Sequence, residues 1–220
     1  MNNEILRSIR SHLAASAPEQ VSRRLTRMNA DQICVNPRQS AAAADLFRLN
    51  LEAVNGHCVI VQGETEIARA FTRIITDLQK TDIRAQRIAI SDNPLVERLM
   101  HLTDLEIEAL TIAPNDIFSY DVGISTVQAA IAETGTLVLV SADERHRLVS
   151  LVPPVHIAIV DASRICETLA EALTLLRNGR ELSRAVTFIT GPSRTADIEL
   201  TLTVGVHGPQ ELYVIVNGST

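Results

Sequence analysis

The 220-residue sequence has no tryptophan, and aromatic residues make up only 3% of it. Its core must therefore be aliphatic, built from Ile, Leu, Val and Ala. The hydrophobic share of 46% is large enough for one. Cysteine is scarce as well: Cys34, Cys58 and Cys166 stand far apart and form no C-x-x-C pair. That spacing argues against a disulfide framework and against an iron–sulfur or zinc site in this chain. Scattered thiols suit a reducing compartment, so the expectation is a cytoplasmic protein. No run of basic residues occurs and the net charge is −6, which disfavours nucleic acid as a partner. The opening MNNEILRSIRSHLAAS lacks the apolar centre of a signal peptide, and no later stretch is long and apolar enough to span a bilayer.

Familiar cofactor loops are missing too. There is no G-x-G-x-x-G after a strand, no G-x-x-x-x-G-K-[ST] and no G-x-S-x-G elbow. No pair of histidines has zinc-ligand spacing. The expectation is that this chain carries no cofactor of its own.

What is present is alternation. Ile5, Leu6, Ile9 and Leu13 fall at helical spacing, which predicts an amphipathic arm and connector over 1–30 ahead of an α/β domain over 31–220. Helices are predicted at 39–54, 64–79, from Asn93-Pro94 to near Met100, at 125–132 and at 163–177, the last with Leu169, Leu173 and Leu176 facing inward. Strands are predicted at 57–61, 87–90, 106–110, 136–140, 155–160, 185–190 and 211–216. Residues 198–206 alternate with period two, yet a short helix is preferred there after the Gly191-Pro192 turn. Strands alternating with helices predict an α/β fold with a mostly parallel sheet covered on both faces.

In such sheets ligands gather outside the carboxyl ends of the strands. Three polar clusters flank strong strands and are expected to share one pocket there. The first is Ala132-Glu133-Thr134-Gly135-Thr136, before and into TLVLV. Glu133 is a candidate base or nucleophile, against the plainer reading that it bonds turn amides. The second, Thr190-Gly191-Pro192-Ser193-Arg194-Thr195-Ala196-Asp197-Ile198-Glu199, lies at the end of AVTFIT and after it. Ser193 or Thr195 reads as a helix cap, and Arg194 as a two-pronged carboxylate anchor. The plainer reading is a capped turn in which Asp197 satisfies backbone donors. The third, Gly205 to Pro209, carries His207 as candidate acid or base, with Asp197 to hold its tautomer. Asp121 reads as a cap for the predicted 125–132 helix. His156, at the start of an apolar strand, reads as packed; His12, His57 and His101 sit in ordinary helix or strand-edge settings.

Taken in order, the Asp121–Thr126 stretch, AAIAETGTLVLVS (129–141), LVSLVPPVHIAIV (148–160) and ITGPSRTADIELTLTVGVHGP (189–209) resemble the lactate-utilization C proteins of the LUD-domain family. The resemblance runs over roughly residues 30–217 and is strongest after residue 120. It implies the fold of the sugar-phosphate isomerase and CoA-transferase superfamily (NagB/RpiA/CoA transferase-like), with a mixed sheet between helices. It also implies a part in oxidising L-lactate to pyruvate beside iron–sulfur partner proteins, with iron–sulfur clusters expected on those partner chains. A small carboxylate is the ligand this implies. Two alternatives stay open: a stand-alone isomerase or CoA/acyl-transfer enzyme, by analogy of fold alone, and a non-catalytic scaffold subunit.

Overall fold

The structure is a computed structural model that describes residues 37–81, 83, 85–91, 93–103, 108–111, 117–140, 147–177, 185–196, 202–204 and 208–218. The predicted N-terminal arm, Asp197 and His207 lie outside these residues.

Six strands form one all-parallel sheet: β1 (His57–Val61), β2 (Arg87–Ile90), β3 (Glu108–Thr111), β4 (Val122–Thr126), β7 (Val155–Asp161) and β12 (Glu211–Asn217). Their spatial order is β1-β12-β7-β4-β2-β3. Between β4 and β7 the chain leaves this sheet and makes β5 (Ala129–Ile131) and β6 (Thr136–Val140). These join β8 (Ile165–Cys166) and β9 (Val186–Ile189) in a second sheet, ordered β8-β5-β6-β9. There the β5–β6 and β6–β9 pairs are antiparallel. A separate hairpin pairs β10 (Arg194–Ala196) with β11 (Leu202–Val204).

One face of the large sheet is covered by α2 (Gly63–Leu78) and α3 (Pro94–His101). On α2, Ile67, Phe71, Ile75 and Leu78 recur every three or four residues and are all buried, as an amphipathic stripe requires. Truncating the fully buried Phe71 to Ala would cost about 3–5 kcal/mol. Pro94 opens α3, and the Asn93 side chain caps it by accepting from the Leu95 amide at 2.9 Å. The opposite face is covered by α1 (Pro37–Ala53), through Ala44, Phe47 and Leu51, and by the inner side of the second sheet. The outer side of that sheet carries α4 (Leu169–Arg177). Helices thus flank the sheets on both sides, as expected for this fold class, and among the described residues the antiparallel pairings are confined to the smaller sheet and the hairpin.

Several local expectations change. The predicted 125–132 helix is the end of β4 and the whole of β5. The Ala-rich run suits a helix by propensity, but paired with β6 it buries Ala130 toward the large sheet and Ala129 and Ile131 under α4, and packing overrides propensity. The helix expected over 163–177 begins only at Leu169, because residues 162–164 make a 3-10 turn and Ile165–Cys166 pair with β5. Its inward face is Ala172 with Leu175 and Leu176, whereas Leu169 and Leu173 are each 43% exposed. Within 198–206 the described residues, Leu202–Val204, form a strand. For those three residues the period-two pattern prevails over the expected helix. Ser193 and Thr195 therefore cap no helix: Thr195 pairs with Thr203 in the hairpin.

Candidate functional site

Asn55, with φ at +64°, and Gly56 end α1, and the Gly56 amide returns to the Leu51 carbonyl at 2.9 Å. The last turn of α1 is the shelf on which the polar clusters meet. Gly135, at φ +63°, lies so close to it that a Cβ would stand 2.3 Å from the Leu51 amide nitrogen. Gly191, at φ +80°, would bring a Cβ to 2.8 Å from the Val54 carbonyl oxygen. Both positions need glycine for conformation and for space. The Asn50 side-chain amide donates to the Ala132 carbonyl at 2.7 Å and fixes the β5–β6 turn to the same helix.

Hydroxyl groups join the first two clusters. Thr134 Oγ1 lies 2.7 Å from Thr136 Oγ1, which lies 2.7 Å from Thr190 Oγ1 across the β6–β9 pair. The second and third clusters join where the Ser193 amide donates to the Pro209 carbonyl at 2.7 Å. The described parts of the three clusters are linked by these contacts in one band near the end of α1.

The band lies elsewhere than the rule for parallel sheets predicted. It opens on a cleft of about 540 Å³ at the amino end of β1 and β12, lined by Glu52, Asn55, His57, Arg194, Gln210 and Glu211 among others. The carboxyl-edge rule applies to a parallel strand followed by its crossover. β9 belongs to the second sheet, so the chain after it emerges beside the start of β12 instead.

The candidate residues divide within this band. Arg194 is exposed and forms part of the cleft wall. Glu133 is also exposed but turns to α4, where its Oε1 accepts from the Leu169 amide at 2.9 Å. Gly135 and Thr136 are buried, and their contacts are those of a tightly held turn. Asp121 clamps the amino ends of neighbouring strands, accepting from the amides of Gln86 and Arg87 at 2.9 and 3.0 Å.

The cleft also holds a pair that sequence reasoning passed over. His57 Nε2 lies 3.2 Å from Glu211 Oε2, and the imidazole stacks on Tyr213 with centroids 4.6 Å apart and planes 19° from parallel. The strand register explains this. His57 pairs with Tyr213, and Glu211, two residues earlier, shares that face of β12. Beside it, burial pushes the Cys58 thiol up to about 12, with the Glu52 carboxylate adding to the shift.

Among the described residues no three His, Cys, Asp or Glu side chains gather as a metal site would need, and no helix is long and apolar enough to cross a membrane.

Comparison with known proteins places this architecture. A Deinococcus radiodurans protein described as a DUF162 family member has a crystal structure that matches with a TM-score of 0.58. The match covers 81% of this chain and 98% of that one at 24% identity, and so speaks to the fold alone. Lactate utilization protein C of an Exiguobacterium species is 44% identical over 102 residues, or 44% of each chain. The Bacillus subtilis protein of the same name is 42% identical over 102 residues, 44% of this chain and 42% of its own. An uncharacterized protein of Neisseria meningitidis serogroup B is 45% identical over 98 residues, 43% of this chain and 41% of its own. These alignments span less than half the length of each curated relative. The LUD domain itself matches residues 44–216, from the first buried turn of α1 to the end of β12, and the chain belongs to the LUD-domain family.

Proposed function

We propose that this protein serves L-lactate utilization in the cytoplasm, supporting oxidation of L-lactate to pyruvate together with iron–sulfur partner proteins. The observation that carries the reading is kinship: several relatives at about this identity bear the name Lactate utilization protein C. The reaction breaks the O–H and C–H bonds of the carbinol carbon and forms a carbonyl. Two electrons would leave for an acceptor on the iron–sulfur partner proteins, and two protons for a base and solvent. This chain's part is to handle the substrate. Arg194 is the proposed carboxylate anchor, because a guanidinium is permanently charged and its fork matches a carboxylate. Gly191, Ser193 and Thr195 shape the backbone around it. His207 with Asp197, outside the described residues, remains the acid–base pair proposed from sequence. Glu133, with the Thr134-Gly135-Thr136 turn, holds the neighbouring wall.

The test is reconstitution. Lactate-dependent reduction of an artificial electron acceptor is measured with purified iron–sulfur partners, with and without this chain. The expected outcome is that omission removes the activity and adding the chain back restores it. Undiminished lactate oxidation without the chain would overturn the proposal.

A further inference from the structure

The amino-edge cleft brings together one guanidinium, one imidazole and a carboxylate that holds the imidazole, and these are the groups a small hydroxy acid needs. We infer that this cleft binds a 2-hydroxycarboxylate, with Arg194 on the carboxylate and Nδ1 of His57 accepting the hydrogen bond of the 2-hydroxyl. The choice of ligand rests on the lactate reading above; the choice of atoms rests on the geometry. An ionised Glu211 only accepts, so in the neutral imidazole the proton belongs on Nε2, directed at Oε2 3.2 Å away. A carboxylate partner of this kind fixes the tautomer and leaves Nδ1 with its lone pair. Tyr213, stacked beneath the ring, limits its rotation. Arg194 stands in the same cleft, carried there by the hairpin whose root is tied to the start of β12 through Ser193 and Pro209. A volume of about 540 Å³ suits a small ligand with its water. Gln210 and Asn55 add neutral hydrogen-bonding groups to the wall.

The inference has a built-in selectivity. A hydroxyl can donate to Nδ1; a methylene cannot. Losing one such bond weakens binding by roughly 3- to 10-fold. Propionate, which keeps the carboxylate but lacks the hydroxyl, should therefore bind more weakly than L-lactate by that factor. Glu52 also faces the cleft and opposes any anion, which keeps affinity modest.

The experiment is a titration of the full-length protein with L-lactate and with propionate, read from the ring signals of His57 by NMR. His57→Gln identifies the signals, and thermal melts confirm that every variant is folded. Three results are expected. L-lactate moves the His57 signals saturably and binds more tightly than propionate. Arg194→Gln weakens both ligands by about tenfold or more, as loss of a charged hydrogen bond should. Glu211→Gln, which frees the His57 tautomer and also removes a carboxylate from the cleft wall, erases most of the difference between the two ligands while propionate binds no more weakly than before. Equal binding of the two ligands to the wild-type protein overturns the inference. So does an absence of His57 shifts up to about 0.1 M lactate, where any Kd would exceed a useful range. An unchanged lactate affinity in folded Arg194→Gln overturns it as well. Lactate oxidation that needs this chain, combined with any of those results, would leave the functional proposal standing and remove only this site.

Discussion

His57 and His156 lie two strands apart, on either side of β12, yet they face opposite ways. His57 pairs with Tyr213 and His156 with Leu212, and successive residues on β12 alternate between the faces of the sheet. His57 emerges at the cleft beside a carboxylate. His156 is fully buried, with Nε2 2.8 Å from Ser125 Oγ and Nδ1 without a partner among the described residues. Among the described residues no charged group compensates its burial, and its pKa is pushed down to about 3 by desolvation. An imidazole in that setting is neutral at physiological pH and serves structure. The lesson is that a histidine's chemistry is set by the face its strand register assigns to it.

The largest test of this contrast is steric. Around His156 the sheet is overlaid so closely that a Cβ on Gly123 would stand 1.9 Å from the Val149 carbonyl oxygen. Backbone on backbone leaves nothing soft to yield. Gly123→Ala should destabilise the fold by about 3 kcal/mol, the upper range for overpacking. Arg194→Gln at the exposed rim should change stability by about 0.5 kcal/mol or less. Urea denaturation of both variants checks the pair. Comparable losses would mean that the rim is as tightly built as the interior.

Next in size is a pH effect. The folded state holds His156 neutral down to a pKa of about 3, while the unfolded chain protonates it near 6.5. Between those values the unfolded state binds more protons, so stability rises with pH and falls as pH drops below about 6.5. By pH 5 the loss from this residue should reach about 2 kcal/mol, at up to about 1.4 kcal/mol per pH unit. His156→Gln removes the titration. The stability gap between wild type and His156→Gln should therefore narrow in favour of the variant as pH falls from 7 to 5. A gap that stays constant over that range would show that His156 is not held neutral.

Much of this arrangement was legible in the sequence. HCVIV, RIAI, TLVLV and VHIAIV are short apolar runs between turn signals, and each is a strand within a residue or so. The α2 stripe of Ile67, Phe71, Ile75 and Leu78 was equally plain. The failures share a cause. Residues 125–132 read as a helix because Ala favours one, and only pairing with β6, a tertiary event, makes them strands. The three polar clusters were recognisable as a group, since each flanks a strong strand. Their edge of the sheet was not, because nothing local says that β6 and β9 leave the parallel sheet. The His57–Glu211 pair was out of reach for the same reason: 154 residues separate its members, and only the β1–β12 register joins them.

The smallest effect concerns cysteine, and it probes how open the rim is. Cys58 adjoins the proposed ligand cleft, whereas Cys166 is buried under α4. Proximity to a cleft suggests a reactive thiol, but the electrostatics oppose it. Burial, reinforced by Glu52, pushes the Cys58 thiol up to about 12; burial, reinforced by Glu171, pushes Cys166 up to about 11. Thiolate is the reacting species. At pH 8 its fraction falls about 2,000-fold for Cys58 and about 200-fold for Cys166, relative to a free thiol of pKa about 8.5. Thiolates of higher pKa are intrinsically better nucleophiles, with a Brønsted slope of about 0.4–0.5, which returns part of that loss. The net expectation is alkylation by iodoacetamide roughly 50- to 100-fold slower than a free thiol at Cys58, and roughly 10- to 30-fold slower at Cys166. Peptide mapping of the native protein over time resolves each site. The suppression is the sharp part: neither thiol should approach the rate of a free one. Fast labelling of Cys58 would show that its thiolate is stabilised at the rim, by Arg48 or by wider opening of the β1 edge, and the division between a reactive imidazole and a silent thiol in that cleft would fall.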